Sequence, residues 1–288
     1  MCSETRPNAK PETVTCKLEK DTNMKKRIIN ILLLLIFFSC SKDEFNEPIV
    51  EIIKGHCIQF YISDTYNYPI LPGTDEWKEL GSLAEKVDVC QIPEKKLETI
   101  STEGLLETLL NYPLILDYIF FDNMQNGFNR IKNENNGFSE LYSREKIFSV
   151  MTERYELMTL DCGENLYPPF ITGEAAPIQV ALETFEFFIF QDEFINNLNK
   201  NQQYQIFEIV YEKYQNKKTH DFDEYFNLVS SAILGKIMFK NDFPPFVEIC
   251  NENDFMKFFI EKIPMYRPEN VFPVEIIEEY ANEFKASR

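Results

Sequence analysis

The sequence predicts an all-α, multi-helical fold with a short extended segment at its N-terminal side. Apolar residues recur at three-four spacing through most of the chain after residue 74, which is typical of helices with one buried face. Residues that cap helices stand before several of these stretches. Hydrophobic residues make up 44% and aromatic residues 14% of the 288 residues, so the chain can build a core. A superhelix and a stacked array of helical hairpins are both compatible with this pattern.

The first elements can be placed individually. Residues 49–61 are rich in β-branched and aromatic side chains, which predicts one or two short extended segments, and residues 69–73 then break the chain. Thr74 is positioned to cap the first helix. Ser82 and Glu85 have the spacing of a capping box, which predicts the start of the next helix.

The later helices are indicated by apolar stripes. These stripes comprise Phe148, Met151, Tyr155 and Met158, then Phe207, Val210, Tyr211 and Tyr214, then Phe222, Tyr225, Phe226, Val229 and Ile233, and finally Ile277, Tyr280, Ala281 and Phe284. Residues 185–190 differ because they are apolar almost all round. That pattern predicts a central helix packed on more than one side.

A basic start and a short apolar run precede Cys40. Residues 25–27 are Lys, Lys and Arg, and the apolar run over 28–38 is shorter than the roughly 20 residues that span a bilayer. This pattern predicts a signal peptide. Residues 37–40 (Phe, Phe, Ser, Cys) resemble the lipobox of bacterial lipoproteins. The resemblance implies cleavage before Cys40 and attachment of lipid to its thiol.

The predicted organisation follows from this leader. Residues 1–23 are polar and acidic, unlike a signal peptide, so we expect translation to start at Met24 and residues 1–39 to be absent from the mature protein. Residues 40–75 form a lipid anchor, tether and short extended segment, and residues 76–288 form a helical domain. Residues 41–45 resemble the acidic export tag of Bacteroidetes lipoproteins, which implies a surface-exposed position on the outer membrane.

Charge excludes one class of partner. The chain carries 29 Lys and Arg against 47 Asp and Glu, a formal net charge of −18. Nucleic-acid binding requires clustered basic residues on the phosphate backbone, so no nucleic-acid partner is predicted. The membrane is the expected partner, through the lipid on Cys40.

The sequence does not decide whether the cysteines of the mature chain are free thiols or form disulfides. Besides Cys40 there are Cys57, Cys90, Cys162 and Cys250, and four cysteines allow three disulfide pairings. Buried free thiols are the favoured interpretation. No CxxC pair is present and no cysteine has a histidine at zinc-ligand spacing, so neither a metal site nor a cofactor is predicted.

Two groups of residues raise a catalytic alternative. His220 is followed by acidic residues at 221, 223 and 224, which suits a metal or acid–base site but also the start of a helix, where acids complement the macrodipole. Cys162 would be a nucleophile if His220 approached it. The GxSxG, P-loop and HExxH motifs are missing from the sequence, so an enzyme is the less favoured interpretation.

Aromatic residues beside prolines are the candidate ligand-binding residues. They are Tyr167, Phe170, Phe243 and Phe246, which flank two Pro-Pro pairs. Proline stiffens a loop, and an exposed aromatic face can bind sugars or peptides. The alternative is that these rings fill gaps between helices.

One wider resemblance supports the envelope interpretation. The residues that carry it are 76–79 (EWKE), 90–94 (CQIPE), 101–105 (STEGL), 111–114 (NYPL), 126–128 (NGF) and 136–138 (NGF). Together they resemble a family of uncharacterised Bacteroidetes lipoproteins, over about residues 66–160 and only loosely beyond. The resemblance implies an envelope location and a helical fold, but no activity.

The functional expectation is therefore a lipid-anchored envelope protein whose helical domain binds an envelope protein or a glycan. Two alternatives stay open. One is a hydrolase of glycan or peptide that uses carboxylates such as Asp223 and Glu224. The other is a structural role in envelope integrity.

Overall fold

A computed structural model describes residues 49–53, 57–161, 168–171, 174–175, 177–220, 224–265 and 273–288. For the strands before residue 61 and between 170 and 175, only the backbone is described. All described residues belong to the second of two compact units of the chain, Pro48–Arg288. In this part of the chain the only regular structure besides helices is two small ribbons, so the predicted all-α class is confirmed.

Each ribbon has two antiparallel strands. Strand β1 (Ile49–Ile53) pairs with β2 (Cys57–Tyr61), which confirms the predicted extended segment. Strands β3 (Phe170–Ile171) and β4 (Glu174–Ala175) form the second ribbon between two helices.

The helices divide at these short strands β3 and β4. Those before the strands are α1 (Asp75–Glu79), α2 (Leu83–Val89), α3 (Glu94–Leu97), α4 (Thr102–Leu110), the 3₁₀ helix η1 (Ile115–Phe120), α5 (Met124–Glu134), α6 (Asn136–Ser143) and α7 (Ile147–Glu156). Those after the strands are α8 (Ile178–Phe190), α9 (Asp192–Ile195), α10 (Lys200–Thr219), the 3₁₀ helix η2 (Glu224–Asn227), α11 (Leu228–Lys240), α12 (Pro244–Glu252), α13 (Asp254–Lys262) and α14 (Val274–Ala286).

The predicted caps are confirmed. The Thr74 hydroxyl accepts a hydrogen bond from the Trp77 N–H at 3.2 Å, at the start of α1. The Ser82 hydroxyl accepts from the Glu85 N–H, and the Glu85 carboxylate accepts from the Ser82 N–H. This reciprocal pair is a capping box, and it satisfies two backbone donors that the helix itself leaves unpaired.

Helix α8 lies at the centre of the core, as its sequence predicts. Phe187 stacks on Phe128 of α5 with ring centroids 5.7 Å apart, and Phe185 stacks on Tyr155 of α7 at 5.4 Å. Phe188 contacts both Phe128 and Phe138, and α11 packs against another side of the helix. Because its side chains are apolar over most of its surface, α8 is stable in water only when other helices enclose it.

Helix α11 is the second internal helix, in contact with α8, α10, α12, α13 and α14. Gly235 lets it approach its neighbours closely. A Cβ atom at this position would lie 2.6 Å from a methyl carbon of Ile260 and 3.1 Å from the ring of Phe246. The absence of a side chain at Gly235 thus sets the packing distance between α11 and α13.

A fully buried ion pair joins α8 to the helices around it. The Lys217 ammonium on α10 lies 2.7 and 2.8 Å from the two carboxylate oxygens of Glu186 on α8, and neither side chain is exposed. Lys217 also donates to the Phe226 carbonyl and to the Ser230 hydroxyl. Tyr155 donates to Glu186 at 2.6 Å. Each charge is therefore hydrogen-bonded, which is the condition for burying an ion pair without a large penalty.

Removal of one partner of this pair should destabilise the protein strongly. We expect Lys217→Met to lower the free energy of unfolding by about 3–5 kcal/mol, because it leaves the Glu186 carboxylate buried without its cation. The measurement is urea denaturation. Lys218→Met is the matched control, since this neighbouring lysine pairs with Glu278 at the surface and such pairs contribute about 1 kcal/mol or less. Equal losses in the two variants would contradict this role for the buried pair.

A second carboxyl group on α8 has no such compensation. Glu183 is 4% exposed, and its Oε1 atom accepts no hydrogen bond from the described residues. Burial raises the pKa of Glu183 to about 8, opposed by Lys217 and assisted by Glu186. The side chain is therefore largely protonated at neutral pH in the folded protein and ionised in the unfolded chain.

This raised pKa makes stability depend on pH. Between the ordinary glutamate pKa and about 8 the folded state binds more protons, so the contribution of Glu183 is fully present at low pH and is lost as pH rises. We expect Glu183→Gln to gain stability relative to the wild type between pH 5 and pH 8, by on the order of a few kcal/mol. Urea denaturation at both pH values measures this, with exposed Glu145→Gln as control. A difference between Glu183→Gln and wild type that does not change with pH would contradict it.

Candidate functional site

One depression in the described surface is a groove lined largely by polar and charged residues. It consists of two adjoining hollows of about 540 and 420 Å³, which share Asn129, Lys132 and Glu193. The larger hollow is lined by Gln125, Asn129, Lys132, Asp192, Glu193, Asn196, Lys236, Phe239, Lys240, Asp242, Ile260, Glu261 and Lys262. The smaller is lined by Asn129, Lys132, Asn133, Phe138, Ser139, Tyr142, Ser143, Glu193 and Asn197. We call the two together the polar groove; each hollow lies in the volume range of small-ligand sites, ~300–1,000 Å³.

Helix periodicity places the lining residues on common faces. Gln125, Asn129 and Lys132 are four and three residues apart on α5, so they project from one side of that helix. Lys236 and Lys240 are in the same relation on α11. Helix α6, the short helix α9 and the end of α13 supply the remaining sides. The groove is thus built on regular helices rather than on long loops, which favours a fixed geometry.

Helix α9 is fastened between the two long walls. Its Glu193 lies 2.7 Å from Lys132 of α5, and its Asp192 lies 2.7 Å from Lys236 of α11. The following Asn196 accepts a hydrogen bond from Lys240 at 2.7 Å. These contacts hold three lysine ammonium groups in place along the groove.

Lys236 makes two further contacts inside the protein. Its ammonium donates to the Phe190 carbonyl at 2.9 Å and lies 4.1 Å from the centre of the Phe190 ring. Burial lowers the pKa of Lys236, while the hydrogen bond and charge of Asp192 act in the opposite direction. The ammonium is thus engaged in contacts inside the protein.

Four charged groups of the groove lack a salt bridge with any residue that the structure describes. They are Lys240 and Asp242 where α11 ends, and Glu261 and Lys262 where α13 ends. Lys132 and Lys236 neutralise the other two carboxylates. The groove thus offers two cations and two anions that are not paired with each other.

Both helix ends that carry these charges have a residue in the left-handed backbone region. Asp242 has φ 53° and Ile263 has φ 50°, and these are the non-glycine residues with positive φ in the described chain. The conformation is uncommon for a β-branched residue and costs on the order of 1–3 kcal/mol. Ile263 is held there by its buried side chain and by its carbonyl, which accepts from the Met124 N–H at 3.0 Å.

A pair of amides lies at the edge of the groove. Gln125 donates to Gln191 at 2.9 Å and to Asn129 at 2.7 Å, and Gln191 donates to the Phe187 carbonyl. Gln191 is fully buried, so these bonds link the wall of the groove to the central helix α8. The orientation of Asn129 is set from inside the protein.

The aromatic candidates from the sequence do not belong to this groove. Phe246 is fully buried and packs edge-on against Tyr280, so the prediction that it presents a ligand platform is corrected. Phe243 is half-buried against Phe284, with ring centroids 5.2 Å apart. The Phe246 ring also lies beside Gly235 of α11, so both rings fill gaps between helices, which was the alternative interpretation. Tyr167 lies outside the described residues, and for Phe170 only the backbone in β3 is described.

The described cysteines are core residues. Cys90 and Cys250 are buried free thiols, and desolvation raises their pKa values to about 12 and about 11. This confirms the prediction of buried free thiols for these two residues, so neither takes part in any of the three possible disulfide pairings. Cys40 and Cys162 lie outside the described residues, as does the side chain of Cys57.

His220 contacts Asp161, the residue that precedes Cys162. The Nε2 atom of His220 lies 3.0 Å from an Asp161 carboxylate oxygen, and Nδ1 lies 2.8 Å from the Asn216 carbonyl. These hydrogen bonds raise the pKa of this exposed histidine. Asp221 and Asp223 fall outside the described residues, and Glu224 begins η2, with only its backbone described. Nothing in the sequence indicates the pairing of positions 161 and 220.

No three His, Cys, Asp or Glu residues in the described ranges converge as metal ligands. Of the helices that the structure describes, none has the length and apolar character to cross a bilayer. Comparison with protein families, curated proteins and solved structures finds no match. The resemblance to Bacteroidetes lipoproteins therefore stays a prediction.

Proposed function

We propose that this chain is a lipid-anchored protein of the cell envelope, placed on the outer face of the outer membrane, whose helical body binds a polar ligand in the polar groove. The anchor is inferred from the basic residues 25–27, the short apolar run 28–38 and Cys40. Acyl chains on that thiol would hold the protein at the membrane, since each buried CH₂ contributes about 0.8 kcal/mol. The acidic residues after Cys40 support the outer face.

The observation that carries the binding proposal is the set of unpaired charges in the groove. A surface that served only solubility would leave charged side chains on open convex faces. Here Lys240 and Lys262 share a concave surface with Asp242 and Glu261. The hydrogen bonds of Asn129 and the anchoring of Ile263 fix the surrounding walls. Fixed polar groups in a concave site lower the entropic cost of binding.

Binding is favoured over catalysis by the types of residue in the groove. General acid–base chemistry requires a group whose pKa lies near the working pH and that can reach the substrate. No histidine or cysteine is among the lining residues. Glu183 and Lys213, whose pKa values burial brings to about 8, lie away from the groove, and the Lys213 ammonium donates to the Met158 carbonyl.

The membrane part of the proposal is tested by fractionating cells that carry Cys40→Ala. We expect the variant to leave the membrane fraction, because the thioether cannot form, whereas Cys57→Ala should remain membrane-bound. Protease treatment of intact cells should digest the wild-type protein. A Cys40→Ala protein that stays in the membrane would refute the anchor, and complete protection from protease would refute the outer face.

The binding part is tested by filling the groove. Asn129 lines both hollows, so Asn129→Trp should block the groove, while Asn251→Trp places the same ring on an exposed site of α12. Detergent-solubilised envelope is passed over each immobilised full-length variant. We expect at least one component to be retained by the wild type and Asn251→Trp but lost with Asn129→Trp. Identical retention by all three proteins would contradict binding in the groove.

A further inference from the structure

The charges that remain free in the polar groove identify the kind of ligand that it fits. We infer that the groove binds a short peptide that carries both a free amine and a free carboxylate. This inference rests on the proposed function, because it names the ligand class of the same groove. Its basis is the charge balance of the lining after the internal pairs have been subtracted.

Eight charged residues line the groove, and four of them form two salt bridges with one another. Lys132 and Glu193 are 2.7 Å apart, as are Lys236 and Asp192. The Lys236 ammonium also donates to a main-chain carbonyl, so it is engaged on two sides. These four groups fasten α9 between α5 and α11, and their charges are already balanced.

The other four charges lie at two helix ends, each with one cation and one anion. Lys240 and Asp242 flank the end of α11, and Glu261 and Lys262 close α13. None of the four forms a salt bridge with a residue in the described ranges. Within those ranges, Lys240 donates a hydrogen bond to the neutral side-chain amide of Asn196. Each helix end can therefore accept one charge of either sign from a ligand.

Both helix ends are held from within the protein. Asn241 donates to the Gln203 side chain at 2.8 Å and to the Ile237 carbonyl at 2.9 Å. Ile263 is buried, and its carbonyl accepts from Met124 at 3.0 Å. These contacts position the neighbouring charged residues without using their charged groups.

This pattern discriminates among polar ligands. A ligand with charges of one sign would meet a like charge at each helix end. A neutral ligand would cover four charges without pairing them, and burying an unpaired charge is costly. A zwitterion can pair with both signs, and it carries no net charge for the field of a chain at −18 to repel.

The uncharged part of the lining suits a peptide main chain. Asn129 and Asn196 accept hydrogen bonds with their carbonyl oxygens from Gln125 and Lys240, and their NH₂ groups donate to no residue that the structure describes. A peptide main chain presents a carbonyl acceptor for such donors at every residue. Phe239 and Ile260 add apolar contact in the larger hollow. A peptide with free termini therefore matches the lining in charge and in hydrogen bonding.

The test uses the detergent-solubilised full-length protein and two mixtures of tetrapeptides. Both mixtures contain random sequences of uncharged residues; one has free termini, and the other is acetylated and amidated. Bound peptides are recovered by equilibrium dialysis and identified by mass spectrometry. We expect retention from the free mixture, and about tenfold weaker binding of a retained peptide when either terminus is blocked. No retention from the free mixture, or equal retention from both mixtures, would overturn the inference.

Charge-neutralising variants locate the bound peptide. The double variant Lys240→Gln/Lys262→Gln removes both unpaired cations, so it should weaken binding of the free peptide about tenfold and abolish the effect of C-terminal amidation. The double variant Asp242→Asn/Glu261→Gln removes both unpaired anions and should do the same for N-terminal acetylation. Lys257→Gln and Glu252→Gln are the controls, since both residues are exposed and do not line the groove. If Lys240→Gln/Lys262→Gln and Lys257→Gln bind the peptide equally, the peptide is not held in the groove and the inference fails.

The two proposals fail in different ways. Loss of an envelope component with Asn129→Trp, together with no retention of free tetrapeptides, would keep the groove as a binding site and remove the peptide class. Retention of tetrapeptides that Asn129→Trp does not reduce would reject the groove for both proposals.

Discussion

The buried pair of Glu186 and Lys217 is the constraint on which the arrangement of the helices depends. Helix α8 is apolar over most of its surface, and a single buried carboxylate on it fixes which helices can lie alongside. Glu186 must meet a cation and several hydrogen-bond donors, because an unpaired buried charge would cost several kcal/mol. Lys217 and Tyr155 come from α10 and α7, so the pair ties both helices to α8.

This arrangement at the centre supports the groove at the periphery. Gln191 directly follows α8 and donates to the Phe187 carbonyl, and its amide also bonds Gln125 on the groove wall. Lys236 on α11 reaches the Phe190 carbonyl at the end of α8. The walls of the groove are therefore continuous with the core, and their polar groups are oriented by contacts that do not depend on a ligand. A site with little apolar surface relies on polar contacts, so its polar groups must be oriented before the ligand arrives if binding is to be specific.

Much of the fold could be predicted from sequence because local signals and burial agreed. Residues 185–190 are apolar almost all round, and the helix that contains them is buried. Ser82 and Glu85 form the capping box that their spacing indicates. The stripe that ends at Ile233 was less well predicted, since the chain forms the separate helices η2 and α11 between Tyr225 and Ile233, and Phe222 lies outside the described residues. Lys217 could not be recognised as a core residue, because it stands beside Lys218 in a stretch that resembles an exposed helix end.

The candidate site could not be predicted from sequence patterns, and the reason is physical. Its walls come from α5, α6, α9, α11 and α13, so the lining residues are far apart in sequence and follow no shared motif. Aromatic residues beside prolines were the stronger local signal, but Phe246 satisfies its hydrophobicity in the core. The charged residues of the groove look like ordinary surface residues until the internal pairs are known. What marks the site is the balance of charges left over after folding.

Native-state hydrogen exchange measured by mass spectrometry is the most direct test of the central place of α8. We predict that amides in residues 178–190 exchange only through global unfolding, with a free energy equal to that from urea denaturation, whereas residues 75–97 exchange through smaller openings. Exchange of residues 178–190 at a free energy well below the global value, or as fast as residues 75–97, would contradict the account.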